Sequence, residues 1–258
     1  MYKNFTNTYF IGKKVTYLPT CHSTNDIASE IIQKGEAIDG QCVITSYQTK
    51  GRGQRGNYWE SEEDKNIMLS LILRPSFLTA YEQFQLNIAI SLGIFDVLYN
   101  YTGDGLTLKW PNDIYFKKQK LCGILIENCI KGSKIDTTTI GMGININQCN
   151  FNHPEAISVS QITGKLFNLE EVIADLLKGI EKRYFQLLNG KKDLLKQDYL
   201  SKLLNYQVFA QYLDMRKDPP EPFEGNILGV NDKGQLAVQR TNEIDYFNFK
   251  EVKFVINR

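Results

Sequence analysis

The feature that most constrains this chain is a run of short strand-like segments with almost no room between them. Residues 106–110, 113–116, 121–130 and 135–146 each read as a strand, and the turns at 117–119 and 132–133 are hairpin-sized. Parallel neighbours need a crossover of a dozen or more residues, so connections this short permit only antiparallel pairing. The meander excludes a doubly wound fold of alternating strands and long crossover helices. Around it the pattern predicts strands over 9–18, 41–47 and 67–73, and helices over 79–100, 169–188 and 193–204. Ser23-Thr24-Asn25-Asp26 supplies helix N-cap types with an acid three residues after Ser23. Ile27, Ala28, Ile31 and Ile32 follow at helical spacing, and Gly35 stops the run. After Asn205 the pattern changes to short strands over 208–213, 223–230, 235–239, 246–249 and 252–256. The expected architecture is therefore α+β, with a domain over 1–206 and a small β-barrel over 207–258.

Composition narrows the function classes. The 258 residues are 42% hydrophobic, and a chain of this length buries roughly 70–75% of its unfolded surface without staples. Lys plus Arg number 30 against 29 Asp plus Glu, for a net charge of +1. The whole-chain field gives no pull toward duplex DNA or an anionic membrane. The 5 cysteines contain no C-x-x-C pair and the histidines are only His22 and His153, so neither a disulfide framework nor a metal site is expected. The first residues lack a signal-peptide core, and the apolar runs near 67–73 and 88–98 are too short or interrupted to span a bilayer. A cytoplasmic protein is expected.

The glycine-rich loop over 48–64 is longer than most structureless connections, and loops of that length are usually functional. Its Gly51-Arg52-Gly53-Gln54-Arg55-Gly56 matches G-x-G-x-x-G. The residues that follow are polar and lack the helix a dinucleotide fingerprint requires. The spacing also imitates a P-loop, but Asn57-Tyr58 stands where Lys-Ser/Thr is needed. What remains is two guanidinium groups between glycines, suited either to gripping a carboxylate or phosphate or to simple solvation. Lys109-Trp110-Pro111-Asn112-Asp113 places a cation, an amide and a carboxylate on one tight connection. Lys120 stands at the mouth of the apolar strand KLCGILIE. Taken singly, these are also ordinary turn and hairpin-end residues.

Together, Ser23-Thr24-Asn25, Gln48, the GRGQRG loop ending at Trp59, KWPND, KLCGILIE and Gly141-Met142-Gly143-Ile144-Asn145 occur in an order that resembles the biotin–protein ligases. These are also called biotin–[acetyl-CoA-carboxylase] ligases or holocarboxylase synthetases. The resemblance runs from about residue 10 to the C-terminus. It implies a catalytic domain with a mixed sheet like that of class II aminoacyl-tRNA synthetases, followed by an SH3-like β-barrel. It further implies two steps, in which biotin and Mg-ATP give biotinyl-5′-AMP and a lysine of a biotin carboxyl carrier protein domain then takes the biotinyl group.

By position, the resemblance sets Ser23, Thr24, Asn25 and Gln48 around the biotin ring, with the bare backbone of Gly141 and Gly143 lining the same pocket. Arg52, Gly53 and Gln54 fold over biotin and its activated acyl group, and Lys120 contacts the carboxylate and the phosphate. Arg55, Trp59, Asn112 and Asn145 fall on the nucleotide side. Asp113 stands near the acceptor lysine, as a base or as a positioning group. Lys109 steadies phosphate charge or pairs with Asp113. A free lysine is neutral only about once in 2,500 molecules at pH 7, so a carboxylate there has work to do.

The common family loop reads GRGRxGR, whereas Gln54 and Asn57 depart from it here. Loss of a charge at Gln54 predicts faster escape of the adenylate than in a Gln54→Arg variant. The loop over 48–64 is expected to order when ligand binds, shielding the adenylate from water. The residues before Ser23 are too few for a winged helix, so no nucleic-acid partner and no membrane are expected. Either a monomer or a homodimer fits. The rivals are a lipoate– or octanoate–protein ligase of related fold, and a non-catalytic biotin-binding module.

Overall fold

The computed structural model describes residues 5, 7–53, 58–241 and 243–255. Seven strands form one mixed sheet: β1 (Val15–Cys21), β2 (Cys42–Gln48), β3 (Ile67–Leu73), β4 (Leu106–Lys109), β5 (Asp113–Phe116), β6 (Gln119–Lys131) and β7 (Lys134–Ile144). Their spatial order is β1-β2-β3-β7-β6-β5-β4. β1 and β2 pair in parallel and are joined by helix α1 (Thr24–Gln33); the other neighbours are antiparallel. The expected meander is the β4-β5-β6-β7 half of this sheet.

The sheet is covered on both faces. On one face Ala28 of α1 packs on Val43 and Ile72. On the other, Cys42, Ile44, Leu69 and Leu71 join the large core built with α2 (Gln83–Thr102), α4 (Leu169–Leu188) and α5 (Lys192–Ser201). Burying each such aliphatic side chain contributes roughly 1.5–3 kcal/mol. Gly93 sits inside α2 because the helices cross there: a Cβ on it would lie 2.6 Å from Ile180 Cα. A short helix α3 (Val159–Thr163), not anticipated from the pattern, carries a reciprocal cap between Ser158 and Gln161.

The strand expected over 9–18 begins only at Val15. The backbone N–H groups of Tyr9, Phe10 and Ile11 donate instead to the buried Glu181 carboxylate, at 2.7, 2.9 and 3.0 Å. A carboxylate on a distant helix therefore satisfies donors that a strand ladder would have used. β1 also runs past the expected end at 18 and through Pro19 to Cys21, which an edge strand tolerates.

The C-terminal residues form a separate five-stranded antiparallel sheet of β8 (Phe209–Asp214), β9 (Glu221–Val230), β10 (Leu236–Gln239), β11 (Ile244–Phe247) and β12 (Val252–Phe254). Its order is β11-β10-β9-β8-β12. Trp110 fastens it to the larger sheet, donating from Nε1 to Gly234 O at 3.0 Å and meeting Phe249 edge-on at 5.2 Å. Among the described residues no helix is long and apolar enough to cross a membrane.

Candidate active site

Sheet register builds the site. Met68 pairs with Gly143, Gly143 with Gly123, Gly123 with Asp113, and Asp113 with Lys109. Residues in register across antiparallel strands share a face. One row therefore runs from two adjacent glycines to a carboxylate and then to an ammonium group. A neighbouring row sets Ser70 beside Gly141 and Gly141 beside Leu125. On β7, Ile140, Met142 and Ile144 pack inward, so the glycines between them leave bare backbone on the opposite face. That bare strip floors a cavity of about 670 Å³.

Strict alternation along β6 would send Lys120 away from this cavity. A register shift between Ile114 and Tyr115 prevents that: Ile114 pairs with Cys122 but Tyr115 pairs with Lys120, leaving Leu121 as the extra residue. Bulges re-aim side chains in this way. Leu121 drops into the core, fully buried, and Lys120 comes to the cavity with Nζ 2.8 Å from Asp113 Oδ1. Lys109 does not pair directly with Asp113; its Nζ donates to Tyr115 Oη at 2.9 Å. Burial pushes the Lys109 ammonium below the ordinary lysine value. Asp113 and Glu155 oppose that shift, while Lys120 and Lys253 add to it. Burial also raises the Tyr115 phenol, which stays protonated as the acceptor for Lys109.

At the other end of the cavity, the start of α1 supplies amide and hydroxyl groups. Ser23 occupies the N-cap position, but its side chain makes no capping bond; it lines the cavity instead. The first helical N–H, on Thr24, donates to Gln48 Oε1 at 2.8 Å. A helix start capped by a distant glutamine leaves the Ser23 hydroxyl available to a ligand. Ser70 Oγ donates to Asn25 Oδ1 at 2.6 Å and lies 2.7 Å from Thr24 Oγ1. Asn25 Nδ2 donates to Glu127 Oε2 at 2.6 Å. A Cβ on Gly141 would stand 2.3 Å from Asn25 Oδ1, so the floor must be glycine there.

The arms of the glycine-rich loop close over this floor. Arg52 and Tyr58 form a bridge, and Trp59 N–H donates to Gly51 O at 3.0 Å. The Trp59 indole lies on the paired glycines, so that a Cβ would come within 2.4 Å of it at Gly143 and 3.0 Å at Gly123. Its Nε1 is buried without a partner among the described residues. Gln54, Arg55 and Asn57 lie outside the described residues.

Most of the sequence-predicted residues thus converge. Ser23, Thr24, Asn25, Gln48, Arg52, Gly53, Trp59, Lys109, Asn112, Asp113, Lys120, Gly141 and Gly143 all line the one cavity. Asn112 also stitches β5 to β6, donating from Nδ2 to Ile124 O and accepting at its own carbonyl from Ile124 N–H at 3.0 Å. Asn145 is not brought to the cavity wall. It is buried behind Lys120, with Nδ2 3.1 Å from Ile157 O and 3.5 Å from Lys120 O.

Sequence reasoning missed Ser70, Gly123, Glu127 and the wall formed by Met215, Lys250, Val252, Lys253 and Phe254. Ser70 had a signal, being the lone polar residue in the otherwise apolar Ile67–Leu73. The C-terminal wall had none, since nothing local says which face of a small sheet meets another domain. Among the described residues the lining carries Arg52, Lys109, Lys120, Lys250 and Lys253 against the acid Asp113, with Asp26 and Glu127 meeting Arg52 from just outside it. Such a surface is built to receive anions.

A model of the biotin/lipoate A/B protein ligase family matches residues 17–145. Over 244 residues the chain is 30% identical to the bifunctional ligase/repressor BirA of Bacillus subtilis, covering 92% of this chain and 72% of that protein. It is 28% identical over 220 residues to the biotin–[acetyl-CoA-carboxylase] ligase of Mycobacterium tuberculosis, covering 84% and 79% respectively. The solved biotin protein ligase from Aquifex aeolicus in complex with biotin and ATP matches with a TM-score of 0.77 at 27% identity, covering 94% of this chain and 100% of that one. The segment matched by the family model contains the glycine floor, Asp113 and Lys120. The chain belongs to the biotin/lipoate A/B protein ligase family and, within it, to the biotin protein ligases.

Proposed function

We propose that this protein activates biotin with ATP and transfers the biotinyl group to a lysine of a biotin carboxyl carrier domain. The carrying observation is the row of Gly143, Gly123, Asp113 and Lys109, with Lys120 turned onto it by the bulge. In the first step a biotin carboxylate oxygen attacks the α-phosphorus of ATP, the new C–O–P linkage forms and pyrophosphate leaves. Two anions must meet, and fixed cations stabilise that crowded arrangement. Lys120 and Lys109 stand where they would meet, with Arg52 at the mouth. Ser23, Thr24, Asn25 and Gln48 offer the hydroxyls and amides that suit a ureido ring.

In the second step the acceptor amine attacks the acyl carbon, AMP leaves, and the amine must shed a proton. Asp113 is held by Lys120 at 2.8 Å. Once the anionic substrate takes a share of Lys120, Asp113 is released to receive that proton or to orient the amine. Trp59, lying over the glycine strip, and Asn112 at the cavity edge serve the nucleotide. Asn145 acts through Lys120, whose carbonyl it holds. Magnesium would arrive on the ATP phosphates, where it neutralises charge. Among the described residues no cluster of three or more His, Cys, Asp or Glu is placed to cage it.

We assign catalysis to residues 1–206 and an SH3-like barrel to 207–258. The barrel assignment is supported by the five short antiparallel strands and a core of Tyr212, Ile227, Leu236, Val238 and Phe247. Its Lys253 and Phe254 complete the cavity wall.

The test is the intact mass of an apo biotin carboxyl carrier domain after incubation with this protein, Mg-ATP and biotin. A gain of one biotinyl group, dependent on ATP and absent with lipoate, is expected. A gain with lipoate alone would mean the related lipoate chemistry. Biotin binding without any gain would leave a binding module.

A further inference from the structure

We propose that Glu127 is a positioning residue that couples the two ends of the ligand site through one carboxylate oxygen. The proposal rests on the reading above, in which Asn25 meets biotin and Arg52 covers the activated acyl group. Glu127 ends the KLCGILIE segment and lies on the same face of β6 as Gly123 and Leu125, because side chains alternate along a strand. Its Oε2 accepts from Asn25 Nδ2 at 2.6 Å and from Arg52 Nη2 at 2.9 Å.

The Asn25 arm fixes an orientation. With Nδ2 on Glu127 and Oδ1 on the Ser70 hydroxyl, both polar ends of a 3%-exposed amide are committed. Turning the amide over would set its oxygen against a carboxylate that has no hydrogen to give, whereas the Ser70 hydroxyl could turn to Thr24 and accept from the NH2. Glu127 thereby decides which edge of Asn25 a ligand meets, and a buried amide held the wrong way round costs affinity.

The Arg52 arm fixes a loop. Arg52 Nη2 also lies 2.8 Å from Asp26 Oδ1, on the helix turn next to Asn25. Nη2 thus hydrogen-bonds to Glu127 on β6, at 3.3 Å to Oε1 and 2.9 Å to Oε2, and stands in ion-pair contact with Asp26 on α1. Nε and Nη1 carry no hydrogen bond among the described residues, which leaves donors for an anion. The side chains are 33–40% exposed, so each pair is weak and readily exchanged. Glu127 and Asp26 hold the guanidinium across the mouth without consuming its capacity to bind ligand.

The experiment uses the full chain with Glu127→Gln, Asp26→Asn, Arg52→Ala and the Arg52→Ala/Glu127→Gln double variant. Biotin affinity is read by calorimetry and biotinyl-AMP escape by a chase, with thermal midpoints taken alongside. Asp26→Asn should speed escape about three- to fivefold with biotin affinity unchanged. Glu127→Gln should speed escape by a similar factor and also weaken biotin roughly tenfold. In the Arg52→Ala background, Glu127→Gln should no longer alter escape but should still weaken biotin; a merely structural role would give additive losses instead. Additive effects on escape, or a Glu127→Gln protein equal to wild type in both readouts, would overturn the proposal alone. A wild type that makes no biotinyl-AMP would overturn the underlying reading and the proposal with it.

Discussion

The cavity and the C-terminal sheet both gather charges among aromatic rings, and they balance them differently. In the C-terminal sheet Asp214 is 1% exposed and accepts from Arg216 Nε at 2.9 Å, Arg216 Nη2 at 2.7 Å and Arg240 Nη2 at 2.7 Å. Asp245 meets the same two guanidinium groups at 3.2 and 2.8 Å. Arg240 lies 3.9 Å over Phe223 and Arg216 lies 4.3 Å over Phe247. Two acids answer two bases, and the arginine hydrogen bonds hold the Asp214 carboxyl well below its usual range. In the cavity, among the described residues, Lys120 alone pairs with Asp113, while Lys109 has a phenol hydroxyl for its hydrogen-bond partner. A half-buried ammonium without a carboxylate partner is costly, which suits a surface that meets an anion. The balanced network ties the small sheet together; the proposed function gives the unbalanced one its anion.

Lys120→Met should have the largest effect. Losing a fixed cation at the reacting centre should slow biotinyl-AMP formation by about 100–1,000-fold. The thermal midpoint should hardly move, because a partly exposed ion pair contributes little. A large midpoint shift with activity intact would reverse the assignment of roles. Asp214→Asn is the mirror experiment. It leaves two arginines facing one remaining acid and should lower unfolding free energy by about 3 kcal/mol, read by urea titration. Activity per folded molecule should stay near wild type; selective loss of activity would place the network in the site.

A smaller effect is expected from Gly143→Ala. The added Cβ would press into Trp59 at 2.4 Å, so the indole must lift off the strip. Affinity for ATP with biotin present should fall roughly tenfold, with stability changed by less than about 1 kcal/mol. Unchanged affinity would mean that Trp59 stands clear of the ligand path.

These effects also show what the sequence could carry. The meander was legible because turn-sized gaps forbid anything but antiparallel neighbours, and α4 was legible from its apolar spacing. The start of β1 was not, since nothing near Tyr9 announces Glu181 on a helix far along the chain. Gly141 and Gly143 were legible as a motif, but their meaning lies in register with Ser70 and Gly123 on other strands. Lys120 was identified by its neighbours in sequence, whereas its direction depends on a one-residue bulge that no local pattern marks. Asn145 matched the motif as well as any residue, yet the fold sets it behind the wall, on the Lys120 backbone.

The smallest expected effect comes from an ion pair that belongs to neither region and so calibrates both. Lys192 Nζ lies 2.5 Å from Glu82 Oε1, joining the start of α5 to the turn that opens α2, and both side chains are about one-third exposed. Hydrogen bonds from Lys192, then from the Thr79 backbone and hydroxyl, lower the Glu82 carboxyl from 4.5 to about 2. A carboxyl depressed in the folded state stabilises it fully above the unfolded value and loses that contribution as pH falls toward the folded one. The window here runs from 4.5 down to about 2. Solvent screening limits the contribution to about 1 kcal/mol or less. Lys192→Met should therefore unfold at slightly lower urea than wild type at pH 7, and the gap should narrow by pH 3. A gap that stays constant across that range would show that Lys192 acts through packing of its stem and not through its charge. The charge-based contrast between cavity and C-terminal sheet would then need the same packing control at Lys120 and Arg240.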